Sequence, residues 1–306
     1  MGQPEVDWPR LRLDLTAPEW YVLNYVGHGF ASEAFKLAVK ELVVRGALRV
    51  EPVETRRRRR RRQRSALTDG PRLRMRPPPA LAPVLDVYSK AKKHALQATD
   101  ESAAGMRAIE GVRTEDLAKA ARKRFGRGLT KYVRKCVLPL LSGAGLMTTA
   151  GGGFRERTSW TGSGRQAVDE LDEWMAVGRR NLRPWVSYDP ARGIAWASSG
   201  GAAVLLMNDF YPQFVRLGQF LADRRVPANS GRAEIGIPLS LDNPLGAEAG
   251  SELSGVELSE LDVGFPATDF GGFDGLDGAF TAIDAGIGAG GIGGGGGGGD
   301  GGGGGG

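Results

Sequence analysis

Between Ser32 and Arg45 the apolar residues Phe35, Ala38, Val39, Leu42 and Val43 recur every three or four positions. That is the period of one face of an α-helix. Ser32 is suited to cap its start, Gly46 ends it, and Ala47–Val53 then changes to a pattern that predicts a strand. Upstream, Pro18 takes the first-turn position that favours proline and opens a short helix over EWYVLNYV, stopped by Gly27-His28-Gly29. Downstream of the strand comes a dense arginine run, which self-repulsion makes a solvated loop. Ser65–Thr68 returns as a second strand, and Asp69-Gly70-Pro71 reads as a turn.

A related order follows the stiff Pro77-Pro78-Pro79 linker. Leu81–Ala98 has Leu81, Val84, Leu85, Tyr88, Ala91 and Ala95 on one side of a helix. Thr114 is expected to cap a helix to Phe125, with Glu115 and Asp116 complementing its dipole. Gly126-Arg127-Gly128 breaks that helix, and Thr130–Ser142 forms the next, with an apolar face of Val133, Cys136, Val137, Leu140 and Leu141. Pro139 inside it predicts a kink or an early end. Gly145 stops the helix, and the segments Leu146–Thr149 and Phe154–Thr161 flank the loop Ala150–Gly153. A helix through Val168, Leu171, Trp174 and Met175 follows.

Helix, glycine break, helix, glycine, strand, loop and strand is the order of a winged helix-turn-helix, and here it occurs twice. Gly27-x-Gly29 matches Gly126-x-Gly128, Gly46-Ala47-Leu48 matches Ala144-Gly145-Leu146, and Arg64–Thr68 matches Arg157–Thr161. The first copy lacks a leading helix, and its hairpin is longer by the arginine run. The expected fold is mainly α with small β wings, as tandem winged helix-turn-helix modules. The expected divisions are a degenerate module at 1–76, a second module at 80–180, an aromatic-rich helical extension at 181–226 and a disordered acidic, glycine-rich tail at 227–306. The aromatics of the extension, Trp185, Trp196, Phe214 and their neighbours, read as a small core rather than a ligand box.

Charge sharpens this division. From Glu234 to Asp300 there are 12 acidic residues and no Lys or Arg, so residues 1–232 carry 41 basic against 23 acidic side chains, a net of +18. A body so basic suggests a polyanionic partner; internal neutralisation by the tail is the competing reading. Of the last 21 positions 17 are glycine, which cannot pack a core. One cysteine (Cys136) and two histidines (His28, His94) exclude a disulfide framework and an ordinary zinc site. Met1–Thr16 has no apolar core like that of a signal peptide, and Ile194–Met207 is too short and too rich in Gly and Ser to span a bilayer.

No catalytic constellation stands out, so a non-enzymatic role without cofactor or metal is expected. Gly286-Ile-Gly288-Ala-Gly290-Gly291 matches a dinucleotide fingerprint in letters only, because it lies in polyglycine with no strand before it or helix after it. The candidate chemistry is nucleic-acid binding. Lys131, Arg134 and Lys135 fall on the polar side of the second copy's last helix, the side that enters the major groove in a helix-turn-helix. Lys119, Arg122 and Lys123 extend the patch, and Arg127 and Arg157 are placed to clamp phosphates beside it. The first copy's wing adds Arg56, Arg57, Arg58, Arg59, Arg60, Arg61, Arg62 and Arg64. That copy's own helix mixes Glu33, Lys36, Lys40, Glu41 and Arg45, which suits scaffolding better than groove entry.

The stretches LVVRGALRV and LLSGAGLM, the turns TDG and TGSG, and the glycine-saturated C-terminus resemble the cytoplasmic parts of an uncharacterised family of bacterial predicted membrane proteins. Those proteins carry winged-helix-like repeats and Gly-rich tails, and offer no catalytic residues to transfer. This chain departs from them in having no transmembrane segment. The resemblance implies a cytoplasmic protein, peripheral at most to the inner face of the membrane. Two functional expectations follow: duplex DNA bound by the basic helix and the arginine wing, or a scaffold that meets protein partners or an anionic membrane surface. The acidic tail is a further candidate partner, held intramolecularly by the arginine run.

Overall fold

A computed structural model of the chain describes residues 8–26, 31–53, 64–100, 111–150 and 157–225. The Gly27-His28-Gly29 break, Arg56–Arg62, the loop beyond Ala150 and the tail from 227 onward lie outside the described residues. The protein is mainly helical, with two small antiparallel sheets. Helices α1 (Ala17–Asn24) and α2 (Ala31–Val44) lead into strands β1 (Leu48–Val53) and β2 (Arg64–Asp69). Then come α3 (Ala82–Asp100), β3 (Val112–Arg113) and α4 (Thr114–Phe125). A composite helix is built from α5 (Thr130–Tyr132), a π turn over Val133–Val137 and α6 (Leu138–Gly143). The hairpin β4 (Met147–Ala150) and β5 (Arg157–Trp160) precedes α7 (Gly162–Tyr188), α8 (Pro190–Gly200), two 3₁₀ turns and α9 (Tyr211–Arg225).

Helices α2 and α6 end in the same backbone motif. Ala47 N–H bonds to Leu42 C=O and Gly46 N–H to Val43 C=O, both at 2.9 Å; Leu146 N–H bonds to Leu141 C=O at 2.9 Å and Gly145 N–H to Ser142 C=O at 3.0 Å. These paired bonds, with a glycine at φ +70° in each case, are Schellman caps, which need a left-handed residue just past the helix. The strand ladders continue the likeness: Leu48 lies opposite Asp69 and Met147 opposite Trp160. This geometry corrects the alignment read from the sequence. Gly46 corresponds to Gly145, one place later than the Ala144 first paired with it, and Ala66 rather than Arg64 stands where Arg157 stands.

Helix α2 is buried on all sides. Phe35, Leu37, Val39, Leu42 and Val43 are at most 1% exposed, and so are Lys40 and Glu41. Its charges are therefore spent inside the fold. Glu41 accepts Ala17 N–H at 2.7 Å and Arg45 Nε at 2.8 Å, and burial still pushes its carboxyl above the ordinary value, against the nearby Arg45 guanidinium. Lys40 Nζ lies 4.8 Å from the centre of the Tyr211 ring on α9. Scaffolding is what this helix does.

The segments on either side of the proline stretch interlock. β3 pairs with β2, Val112 opposite Leu67, so a strand from beyond Pro77-Pro78-Pro79 completes the sheet begun by β1 and β2. Thr114, expected as a helix cap, instead donates its hydroxyl to Ser65 C=O at 3.2 Å on β2, and Arg113 occupies the cap position. In the other direction, Trp160 on β5 donates its indole N–H to Leu23 C=O on α1 at 2.7 Å. Tyr132 donates to Ala80 C=O at 2.9 Å and packs with Phe35 and Phe125. Pro78 C=O accepts Leu81 and Ala82 N–H, and Ala80 and Leu81 are fully buried. The proline linker is therefore part of the packed body.

At the expected boundary of 180, α7 continues without a break as far as Tyr188. Its C-terminal half pairs with α8 through a reciprocal motif, Trp174 with Gly178 and Trp196 with Gly200. The two indoles stack at 4.2 Å with planes 9° apart. A Cβ on Gly178 would come within 2.1 Å of Trp196, and one on Gly200 within 2.0 Å of Trp174. Each glycine is the floor on which the opposite indole lies. Trp196 also stacks on Phe214 of α9, and Trp185 meets Trp8 at 5.5 Å. These aromatics are core, with Tyr188 the exception at 90% exposed.

Candidate nucleic-acid interface

The turn between α4 and α5 sets the direction of the composite helix. Gly126 ends α4 at φ +86°, but the second left-handed residue is Leu129 at φ +55°, not Gly128. Leucine tolerates that conformation poorly; its fully buried side chain offsets the strain by anchoring the turn in the core. The Gly-x-Gly spelling of this turn therefore reflects one conformational requirement, at Gly126.

Pro139 has a more specific effect than a kink. With no N–H it cannot bond back to Lys135 C=O, and Leu138 N–H reaches instead to Val133 C=O, closing a π turn. The helix restarts at Leu138 with Pro139 in its first turn, where no donor is needed. Single π turns of this kind recur at functional positions, and this one carries Arg134 and Lys135.

Lys131, Arg134 and Lys135 are all exposed on this helix, beside the buried Tyr132, Val137 and Leu141. Among the described residues none forms an ion pair with any of the three. Lys123 and Arg127 are likewise exposed, and Arg122 is half-buried. Lys119 is exposed but bridges to Asp116 at 3.0 Å one turn earlier. Arg124 serves structure: it reaches Asp86 and Pro83 C=O on α3, each at 3.2 Å, and lies over the Phe125 ring. Cys136 is half-buried rather than fully buried, and burial pushes its thiol pKa up against the pull of Arg124 and Lys135, so it is a protonated thiol at neutral pH.

Arg157 is exposed on β5, opposite Ala150. Strand side chains alternate between faces, and it is Thr158, not Arg157, that shares a groove with Arg134. The register thus directs Arg157 to the hairpin face opposite the one that borders Arg134. Arg64 stands in β2 opposite Val53, and Arg56 through Arg62 lie outside the described residues.

The groove itself was not legible in the sequence. It is half open, about 290 Å³ in volume, and runs between α1, the composite helix and the β4–β5 hairpin. Tyr21, Tyr25 and Val26 form one wall; Thr130, Val133, Arg134 and Leu138 form the other, with Met147 and Thr158 at the end. The Tyr21 and Tyr25 rings meet at 4.8 Å, and Tyr25 is 46% exposed. Thr130 and Arg134, four residues apart, share a helix face, and Leu138, just beyond the π turn, lines the same wall. What could not be read was that α1, more than a hundred residues earlier in the chain, supplies the facing wall.

No helix among the described residues is long and apolar enough to cross a membrane. No protein-family model matches the chain, and no curated protein matches it.

Proposed function

We propose that residues 17–160 are two interlocked winged helix-turn-helix copies, and that the second copy presents its composite helix to a polyanion, duplex DNA, without catalysing a reaction. The matched Schellman caps and strand registers support the repeat. The observation that carries the binding reading is the exposed Lys131–Arg134–Lys135 face on the helix just before a hairpin, with no ion pair to any of the three among the described residues. Three exposed cations on one helix face offer a polyanion contacts that no described carboxylate takes up. Lys123 and Arg127 extend the positive strip towards the phosphates on either side. The reading makes the protein cytoplasmic and leaves α2 as scaffold.

The test is a titration of the full chain with a short duplex across salt concentrations. About six phosphate contacts give a slope of log affinity on log salt near −5. Lys131→Glu with Arg134→Glu is expected to weaken binding at least ~10-fold and to flatten that slope by about two. Absence of binding at low salt, or indifference to the double substitution, sinks the proposal. Retention on anionic vesicles without duplex affinity would transfer the same face to a membrane surface.

A further inference from the structure

We propose that the groove between Tyr25 and Arg134 is the docking site for the chain's own acidic segment 262–280, which thereby competes with the polyanion for the adjoining helix face. The competition rests on the duplex reading; the docking does not. The groove is apolar along Tyr21, Tyr25, Val133 and Leu138, yet Arg134, which has no ion pair among the described residues, stands in its wall. A fitting occupant has to bring apolar side chains with a carboxylate beside them. At about 290 Å³ the groove is at the small end of ligand pockets, sized for one or two side chains rather than an extended small molecule.

Segment 262–280 has that chemistry. Asp269 precedes Phe270 and Asp274 follows Phe273, so each central phenylalanine has a carboxylate next to it. Phe265 and Phe280 flank them, and the segment has no Lys or Arg. A phenylalanine buries roughly 150–250 Å² of surface when it enters an apolar groove. Reach is sufficient. α9 ends at Arg225, and the roughly forty residues from there to Phe265 have a contour length of about 130 Å, several times the ~17 Å radius of gyration of a 225-residue globule. Tethering also holds the segment at an effective concentration near the millimolar range, so weak intrinsic affinity is enough for occupancy. Because Arg134 belongs to both the groove and the basic face, an occupied groove removes a cation from that face and sets an acidic chain beside Lys131 and Lys135.

Two measurements on the full-length chain decide this. Benzoylphenylalanine placed at Tyr25, and separately at Thr158 on the opposite side, is expected to cross-link on irradiation to peptides within 262–280 at monomer mass. Phe270→Ala with Phe273→Ala should abolish that adduct. Adducts that miss 262–280, or that appear only at the mass of two chains, overturn intramolecular docking. The same double substitution is expected to raise affinity for a short duplex about 3–10-fold; equal affinity in the presence of the cross-link overturns the competition. If neither protein binds duplex, the polyanion reading fails, and the cross-link alone still decides whether the tail docks.

Discussion

Glycines that look alike in the sequence carry unlike structural duties. Gly164 opens α7, where its N–H bonds to the Thr161 hydroxyl at 3.0 Å, and a Cβ there would lie 1.9 Å from Leu146 C=O. Thr161 in turn donates to Gly145 C=O at 2.7 Å, so helix cap and hairpin are bound in one knot. Gly128 has only the Thr130 methyl near its hypothetical Cβ, at 3.8 Å, and no left-handed backbone. Gly164→Ala is therefore expected to cost about 1–3 kcal/mol through forced backbone displacement. Gly128→Ala should be neutral or stabilise by up to about 1 kcal/mol, by restricting the unfolded chain. Chemical denaturation of both variants checks the pair, and a reversed order would show that the close approach at Leu146 is relieved elsewhere. The nearby salt link at Asp69 follows a similar logic of competing terms. Partial burial opposes its ionisation, but hydrogen bonds from Lys92 at 2.6 Å and Tyr88 at 2.7 Å outweigh it and lower the pKa. That link ties the end of β2 to α3.

Among the elements, the composite helix shows how much a single missing donor can decide. The π turn fits one extra residue between Tyr132 and Leu138, which rotates the part bearing Lys131 and Arg134 relative to α6 by about one residue step, roughly 100°. Pro139→Ala restores the Lys135 acceptor's partner and lets a regular α-helix form. Stability should change by less than about 1 kcal/mol, since Pro139 is exposed and already in a first turn. Duplex affinity, in contrast, should fall several-fold as the Lys131–Arg134–Lys135 face turns as a unit relative to α6 and the hairpin. Matching thermal melts with unequal duplex titrations would bear this out; unchanged affinity would mean the π turn has no part in presentation. The sequence predicted a disturbance at Pro139 because proline's missing N–H is a local fact. It could not locate the disturbance four residues upstream, since which carbonyl Leu138 chooses depends on how Tyr132, Val137 and Leu141 are held in the core. α2, β1, β2, α4 and the β4–β5 hairpin were legible from periodicity and glycine stops. β3 was not, because two residues have no period, and their strand identity comes from Ala66 and Leu67 across the ladder. The α7–α8 indole pair was visible only as composition: Trp-x-x-x-Gly means something once two copies face each other. At the candidate site, the exposed cations of the composite helix could be read from helical spacing, but the face taken by Arg157 could not, since the phase of a four-residue strand is set by its partner.

For the whole molecule, the stretches before and after Pro77-Pro78-Pro79 read in sequence as beads on a string, while the contacts make them one body. The Val112–Arg113 strand and the Thr114 hydroxyl complete the sheet of β1 and β2. The β4–β5 hairpin is held by Trp160 against α1, and buried residues from Trp8 to Leu221 form a single apolar cluster. An arrangement of this kind has no plane along which one half can melt and leave the other's core covered. The full chain is accordingly expected to unfold in one transition, with far-ultraviolet circular dichroism and tryptophan fluorescence superimposing in denaturant. Gly111 gives the sharpest probe, because a Cβ there would meet Leu67 C=O at 2.6 Å at the junction of β2 and β3. Gly111→Val should lower the midpoint of both signals together, by about 1–3 kcal/mol of stability, although the tryptophans lie in the lead-in (Trp8), α1, β5, α7 and α8 and none is in that sheet. A variant in which fluorescence keeps its original midpoint while the helical signal splits would mean that the two halves are separable after all. The proposed duplex binding would then fall to residues 80–160 acting alone, rather than to a platform built together with residues 17–76.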